Sequence, residues 1–144
     1  MLWNPYAYMG EQHPDWVIRF DNLHGIPELM CWRRKVMLIE TADGRATRRC
    51  SMAHAIGHLE LMHQGSVFCG KEEAAASKWA AGMLIDVDRL AHAAEWHGWE
   101  IGEGLASDLQ VDLDTLVTRV QMASRHPAER AYLTARRAQR EEAA

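Results

Sequence analysis

The sequence predicts an α+β fold in which a small three-stranded antiparallel sheet packs on a mainly helical domain. Two observations predict it. Short β-branched and aromatic runs fill the first third of the chain, and apolar residues follow helical spacing after position 43. The chain of 144 residues is the size of one domain. We place this domain at residues 1–125, followed by a polar helix or tail at residues 126–144.

The strands are predicted within residues 16–40. They follow an arm at residues 1–15, in which Pro5, Gly10 and Pro14 indicate irregular structure with packed aromatic rings. Basic residues at 33–35 separate the second and third runs and indicate a hairpin turn. The predicted strands are residues 16–20, 30–32 and 36–40.

The rest of the chain is predicted to be helical. A side-chain oxygen of Asp43 can accept a first-turn N–H, and Gly65 is a typical C-terminal stop, so the first long helix runs between them to about Gln64. Asp86 can cap a later helix in the same way. The further helices are predicted at residues 71–85, at 87–97, and at 105–120 as a helix-turn-helix-like pair with its turn at 111–112.

This last pair is predicted to support the fold and not to bind DNA. A DNA-reading helix needs basic and amide side chains, but the second helix opens with Asp112 and Asp114 and has Arg119 as its only cation. The formal charge of the chain is −4, which provides no electrostatic footprint for nucleic acid.

The composition also indicates where the protein works. No apolar run approaches the roughly 20 residues that span a bilayer, and the N-terminus shows no signal-peptide pattern, so we expect a cytoplasmic protein without membrane contact. Cys31, Cys50 and Cys69 are an odd number without a C-x-x-C pair, which fits buried thiols in a reducing compartment. Cys69 is a possible metal ligand, but a lone Cys in an apolar loop more often fills the core.

The candidate site lies on the first long helix, at His54 and His58. Two residues four apart on a helix sit about 40° apart around its axis, so both imidazoles can reach one metal ion. In the H-E-x-x-H motif of zinc peptidases the Glu after the first His accepts a proton from the attacking water, but this chain has Ala55 there. His63 is expected about 180° away, as a partly exposed surface residue that cannot join the pair.

A third ligand would come from a later element. Glu72 and Glu73 open the next, alanine-rich helix, and both are candidates. His92 and Glu95 form another possible pair, but the spacing of the H-x-x-E-H pattern fails there, because Trp96 follows the Glu. We interpret them as a solvated polar face.

Two blocks of the sequence resemble the ImmA/IrrE family of zinc metallopeptidases. The first is Arg49–His58, similar to R-x-x-L-A-H-E-x-x-H, and the second is Glu73–Leu84, similar to E-x-x-A-x-x-F-A-x-x-L-L. With the helix-turn-helix-like end, the resemblance covers roughly residues 16–122. The sequence departs from the family at Ala55, at Trp79 in place of Phe, and at Asp86 in place of Pro.

The resemblance implies a cytoplasmic, gluzincin-type zinc endopeptidase that cleaves a helix-turn-helix repressor, as of a phage or mobile element. It implies zinc bound by His54, His58 and Glu73, with Glu72 as the competitor. Glu73 is preferred because it stands three residues before Ala76 and four before Ser77, where the family places a polar residue that orients a histidine.

Ala55, in place of the catalytic Glu, predicts that this chain is inactive. General acid–base help contributes about 10²–10⁴-fold, so its loss should leave the ligands intact and remove most turnover. Ala55 is either natural, as in a pseudoenzyme, or an engineered change of a catalytic Glu. We favour engineering because the surrounding residues keep their type and spacing. The alternative function is a zinc-binding module that captures a repressor or other partner without cutting it; the oligomeric state stays open.

Overall fold

The computed structural model of the protein describes residues 2–65 and 67–143. Met1 and Ala144, at the ends of the predicted arm and tail, lie outside the described residues, as does Ser66. Within them the chain has the predicted α+β architecture, with seven helices and one three-stranded sheet. The elements are α1 (Pro5–Gln12), β1 (Val17–Asp21), β2 (Glu28–Cys31), β3 (Val36–Glu40), α2 (Arg45–Glu60), α3 (Gly70–Leu84), α4 (Val87–Trp96), α5 (Glu103–Asp108), α6 (Leu113–Arg125) and α7 (Pro127–Ala143).

The sheet is mixed, so the prediction of a wholly antiparallel sheet is wrong for its first strand. β3 lies in the centre, antiparallel to β2 and parallel to β1. The buried carboxylate of Glu40, at the end of β3, accepts hydrogen bonds from the N–H groups of Leu23 and Gly25. These bonds tie the β1–β2 connection to β3, so that the third strand inserts between the first two.

The N-terminal arm is a helix, where the sequence predicted irregular structure. The Asn4 side chain accepts hydrogen bonds from the N–H groups of Tyr6 and Ala7, and Pro5 opens the helix. This start signal outweighs the unfavourable Gly10. The predicted aromatic packing is present, with the Trp3 ring 5.4 Å from Tyr8 and 6.0 Å from Trp79.

Helix α2 differs from its prediction at both ends. Gly44, and not Asp43, is the N-cap, and it provides no side-chain hydrogen bond. The helix ends at Glu60 instead of Gln64, because Met62 adopts a left-handed φ of 59°. The cap predicted for α4 is confirmed, since Asp86 accepts a hydrogen bond from the Arg89 N–H.

Two apolar clusters hold the helices and the sheet together. The first lies between the sheet, α1 and α2, and the second joins α2 to α3, α4, α5 and α6. Representative members are Met37, Ile39, Met52 and Ile56 of the first cluster and Leu84, Leu90, Leu105 and Leu116 of the second.

Among the described residues, no helix combines the length and the apolar character needed to cross a membrane.

The predicted helix-turn-helix-like pair is present as α5 and α6. Arg119 of α6 is only 4% exposed and donates hydrogen bonds to the Ile85 carbonyl and to Glu129 of α7.

On α4, Glu95 forms a salt bridge with Arg136 of α7, so the prediction that Glu95 belongs to a solvated face is wrong.

Candidate metal centre

The site depends on a close approach of α2 and α3. A Cβ built at Gly57 would lie 2.8 Å from the carbonyl oxygen of Ala76, so only glycine fits at this position. Ala76, Ala80 and Ala81 are buried on α3 and keep its surface flat. Because small residues meet at this crossing, the first turn of α3 reaches the histidines of α2.

Three side chains from these two helices converge. The Nε2 atoms of His54 and His58 are 3.1 Å apart, and the Glu73 carboxylate lies 2.9 Å from the first and 3.0 Å from the second. Within residues 2–65 and 67–143, these residues form the group able to hold a metal ion, with ligand atoms all within 4.8 Å of one another. Ligand atoms about 2.0–2.1 Å from a tetrahedral zinc lie about 3.3 Å apart, so the spacing fits such an ion.

The outer nitrogens of both imidazoles have partners. His54 Nδ1 lies 3.2 Å from the Ser77 hydroxyl, and His58 Nδ1 lies 2.9 Å from His63 Nδ1. The Phe68 ring stacks on His58 at 3.8 Å. These contacts fix the ring planes, and a proton on each Nδ1 leaves the Nε2 lone pairs directed at one point.

His63 is partly exposed, as predicted, but the prediction that it lies about 180° away from the histidine pair is wrong, because its ring contacts His58. The 100° rule places it opposite His54 only while the helix continues, but α2 ends at Glu60. The left-handed backbone of Met62 turns His63 back against His58. His63 is not itself part of the three-residue group.

Burial keeps the site in the form that binds a cation. The His58 side chain is 2% exposed, and burial, followed by the charge of His54, lowers its pKa below the ordinary value. His58 is therefore neutral around physiological pH, with a lone pair available on Nε2. The Glu73 side chain is 48% exposed, so the group is open to solvent on that side, where water or a substrate can approach.

The other candidate ligands are engaged elsewhere. Glu72 accepts a hydrogen bond from the Cys69 N–H at 3.1 Å and so caps its own helix.

The three cysteines differ in burial. Cys69 and Cys31 are exposed, which makes the prediction of buried thiols wrong for them, whereas Cys50 is buried as expected. Ala55 is fully buried within the first apolar cluster and presents no polar atom to the site.

Sequence reasoning missed one carboxylate at this site. Glu28, the first residue of β2, has Oε1 3.6 Å from His54 Nε2 and a side chain only 17% exposed. Burial raises the pKa of Glu28 to about 7, and the negative charge of Glu73 acts in the same direction. No local motif marks Glu28, because the pairing of β2 with β3 brings it to the histidines.

A cleft of about 260 Å³ opens onto this centre. Four carboxylates and no lysine or arginine are among its lining residues. The cleft is thus complementary to a cationic ligand. The residues lining it are Pro27, Glu28, Cys50, Ser51, His54, Glu73, Ser77, Ala80, Asp112, Asp114, Thr115 and Thr118.

A protein-family profile matches most of the chain. The profile of the IrrE N-terminal-like domain, Peptidase_M78, matches residues 11–121, which include both histidines and Glu73. No curated protein and no solved structure matches the chain.

Proposed function

The chain belongs to the Peptidase_M78 family of metallopeptidases, the ImmA/IrrE type, and on that premise we propose that it is a zinc endopeptidase scaffold acting on a helix-turn-helix repressor. The observation that carries the proposal is the convergence of two imidazole nitrogens and one carboxylate on a single point. Ala55 stands where the proton acceptor of the reaction belongs, and we propose that the protein with this residue is inactive.

The proposed roles follow from the contacts. His54, His58 and Glu73 hold the ion, while Ser77 and His63 orient the two imidazoles through their outer nitrogens. Zinc in such an open site supplies Lewis acidity towards a peptide carbonyl and a water molecule. The Ala55 methyl group cannot accept a proton. The attack of water on the peptide bond therefore lacks a general base, which would accelerate it by about 10²–10⁴-fold.

The charge of the cleft supports a DNA-binding protein as the substrate. Its carboxylates favour a cationic segment, and proteins that bind DNA carry lysine and arginine to neutralise phosphates. We propose that the protein itself does not read DNA, because Arg119 is buried and bonded to Glu129. Repressors act at DNA inside the cell, and we place the reaction in the cytoplasm.

The test is restoration of the carboxylate. Ala55→Glu should cleave a helix-turn-helix repressor encoded beside this protein, at a rate about 10²–10⁴-fold above that of the unmodified chain. Ala55→Gln is the matched control, since it adds the same volume to a buried position without a base. His58→Ala in the Ala55→Glu background should abolish cleavage by removing a ligand. Thermal melts of each variant verify folding, because Ala55 is fully buried.

The alternative is a zinc-binding module that captures a repressor without cutting it, and the apolar packing around Ala55 favours it. A folded Ala55→Glu variant that binds zinc and the repressor but yields no product would establish this alternative. Cleavage by the unmodified chain would contradict the proposed inactivity. Loss of that cleavage in Glu28→Gln, with zinc content unchanged, would assign it to Glu28.

A further inference from the structure

A second cavity, of about 650 Å³, lies apart from the metal centre. It is formed by the segment that leads into α1, the first turns of α2, and α4. It shares no lining residue with the cleft at the histidines. Its lining residues are Leu2, Trp3, Asn4, Pro5, Tyr6, Arg45, Arg48, Arg49, Arg89 and Gln110.

Four of these lining residues are arginines, and their side chains concentrate positive charge in the cavity. Among the described residues, none of the four guanidinium groups lies within salt-bridge distance of a carboxylate. Arg49 donates hydrogen bonds to the carbonyl oxygens of Trp3 and Gln110, and Arg48 donates one to that of Thr41. Neutral carbonyls satisfy N–H groups but do not neutralise charge, so the cavity stays strongly positive.

The backbone adds to this positive charge. Arg45, Arg48 and Arg49 occupy the first turns of α2, where the helix dipole disfavours cations. Gly44 supplies no capping side chain, and the first turn contains no acidic residue. Burial lowers the pKa of Arg49; nearby Cys50 opposes this shift, and the charges of Arg89 and Arg45 add to it. This arrangement is unfavourable in the free protein, and a bound anion would relieve it.

We propose that this cavity binds a small phosphate-bearing molecule. Arginine forks match the oxygens of a phosphate, and several of them converging from two helices suit a diphosphate or larger anion. The volume falls in the range of small-molecule sites, about 300–1,000 Å³. Tyr6 lines the cavity and is 49% exposed, so its ring offers a surface against which a nucleotide base can stack. A concave cavity bounded by separate elements suits a small molecule better than duplex DNA, which binds along an extended basic surface.

The experiment measures binding to the full chain by calorimetry, with a chelator present so that the metal centre takes no part. The probes are pyrophosphate, which supplies the phosphate chemistry alone, and ATP, which adds a base. Arg45→Gln and Arg89→Gln should each weaken both probes about tenfold or more, since each removes charge-assisted hydrogen bonds. Tyr6→Ala should lower the affinity for ATP, whose base can stack on the ring, and leave the affinity for pyrophosphate unchanged.

The matched control is Arg33→Gln, the same change at an exposed arginine of the β2–β3 turn, which should leave both affinities intact. If Arg33→Gln lowered both affinities as much as the cavity variants do, the probes would be responding to the overall charge of the protein, and the proposal would be overturned. Absence of binding by both probes would overturn it as well. A short DNA duplex that binds tighter than ATP and is lost in Arg45→Gln would instead assign the surface to nucleic acid. Arg45 is exposed at the start of α2, so this variant is expected to fold, and a thermal melt verifies it.

Discussion

The Nε2 atoms of His54 and His58 lie 3.1 Å apart at the point where the Glu73 carboxylate approaches both. Such a group offers three donors to a cation, already in place before the ion arrives. Zinc that binds the folded state and not the unfolded state should therefore stabilise the protein, by about 2.7 kcal/mol at a free concentration of 100 times Kd.

Thermal melts with and without zinc measure this stabilisation, and elemental analysis measures the metal content. His58→Ala should lose both the shift and the bound metal. His92→Ala, which removes an exposed histidine of α4, is the control and should behave like the unmodified chain. An equal zinc shift in the two variants would show that the three-residue group is not the binding site.

The sequence predicts those parts of the site that local periodicity determines. His54 and His58 share a helix face, and the acidic start of the next helix supplies Glu73, so their spacing along the chain already indicates a site. The family resemblance, and not periodicity, implies a polar residue near Ser77 that orients a histidine, and in the structure Ser77 contacts His54.

Other parts depend on contacts between residues distant in sequence. Glu28 reaches His54 only through the pairing of β2 with β3, and the parallel pairing of β1 depends on how Glu40 binds the intervening loop. His63 turns back because Met62 adopts a left-handed backbone, which no residue type in that stretch requires. The arginine cavity likewise combines residues from α2 and α4.

Gly57→Ala should damage both the fold and the metal centre. Its Cβ would lie 2.8 Å from the Ala76 carbonyl oxygen, which is backbone and cannot move without shifting α3. We expect a loss of about 1–3 kcal/mol in the free energy of unfolding, as for other overpacked sites. Zinc affinity should fall too, since α3 carries Glu73.

Gly82→Ala is the matched control on α3. A Cβ there would meet only the end of the Met122 side chain, at an ordinary 3.6 Å. Replacing glycine within a helix should stabilise the protein by about 0.5–1 kcal/mol. Denaturant unfolding of both variants measures the difference, and a Gly57→Ala variant as stable as Gly82→Ala would show that the two helices are not in close contact.

The metal-free protein should lose stability as pH rises through the titration of Glu28. Its pKa is raised from an ordinary 4.5 to about 7 in the folded state, so between these values the folded state binds more protons than the unfolded state. The free energy of unfolding then falls with rising pH, by up to about 3 kcal/mol in total, and the loss is complete above pH 7. Glu28→Gln should remove this component of the pH dependence. Urea unfolding in the presence of a chelator, across this pH range, tests it, and parallel pH profiles for the two proteins would contradict it.

Arg119 should be the most important polar side chain for the packing of α6 and α7. Its Nε donates to the Ile85 carbonyl at 2.6 Å, and its two terminal nitrogens donate to the Glu129 carboxylate at 2.9 and 2.8 Å. Arg119→Ala leaves a buried carbonyl without a donor and a carboxylate without its partner. Breaking a fully buried pair in this way costs about 3–5 kcal/mol, and because the Glu129 side chain is 24% exposed we expect a loss of at most this size.

The same pair predicts an acid-sensitive contribution to stability. Hydrogen bonds from Arg119 hold the pKa of Glu129 below its ordinary value, so the stabilisation is present above the unfolded pKa and is lost as pH falls through the folded pKa. Arg137→Ala is the control. Arg137 pairs with Glu141 at 3.5 Å on the exposed face of α7, so its loss should change the free energy of unfolding by no more than about 0.5 kcal/mol. If denaturant unfolding gave Arg119→Ala and Arg137→Ala similar stabilities, the buried pair would not hold α7 to the domain. With the expected difference, α7 is an integral part of the fold, attached through a contact that acid weakens.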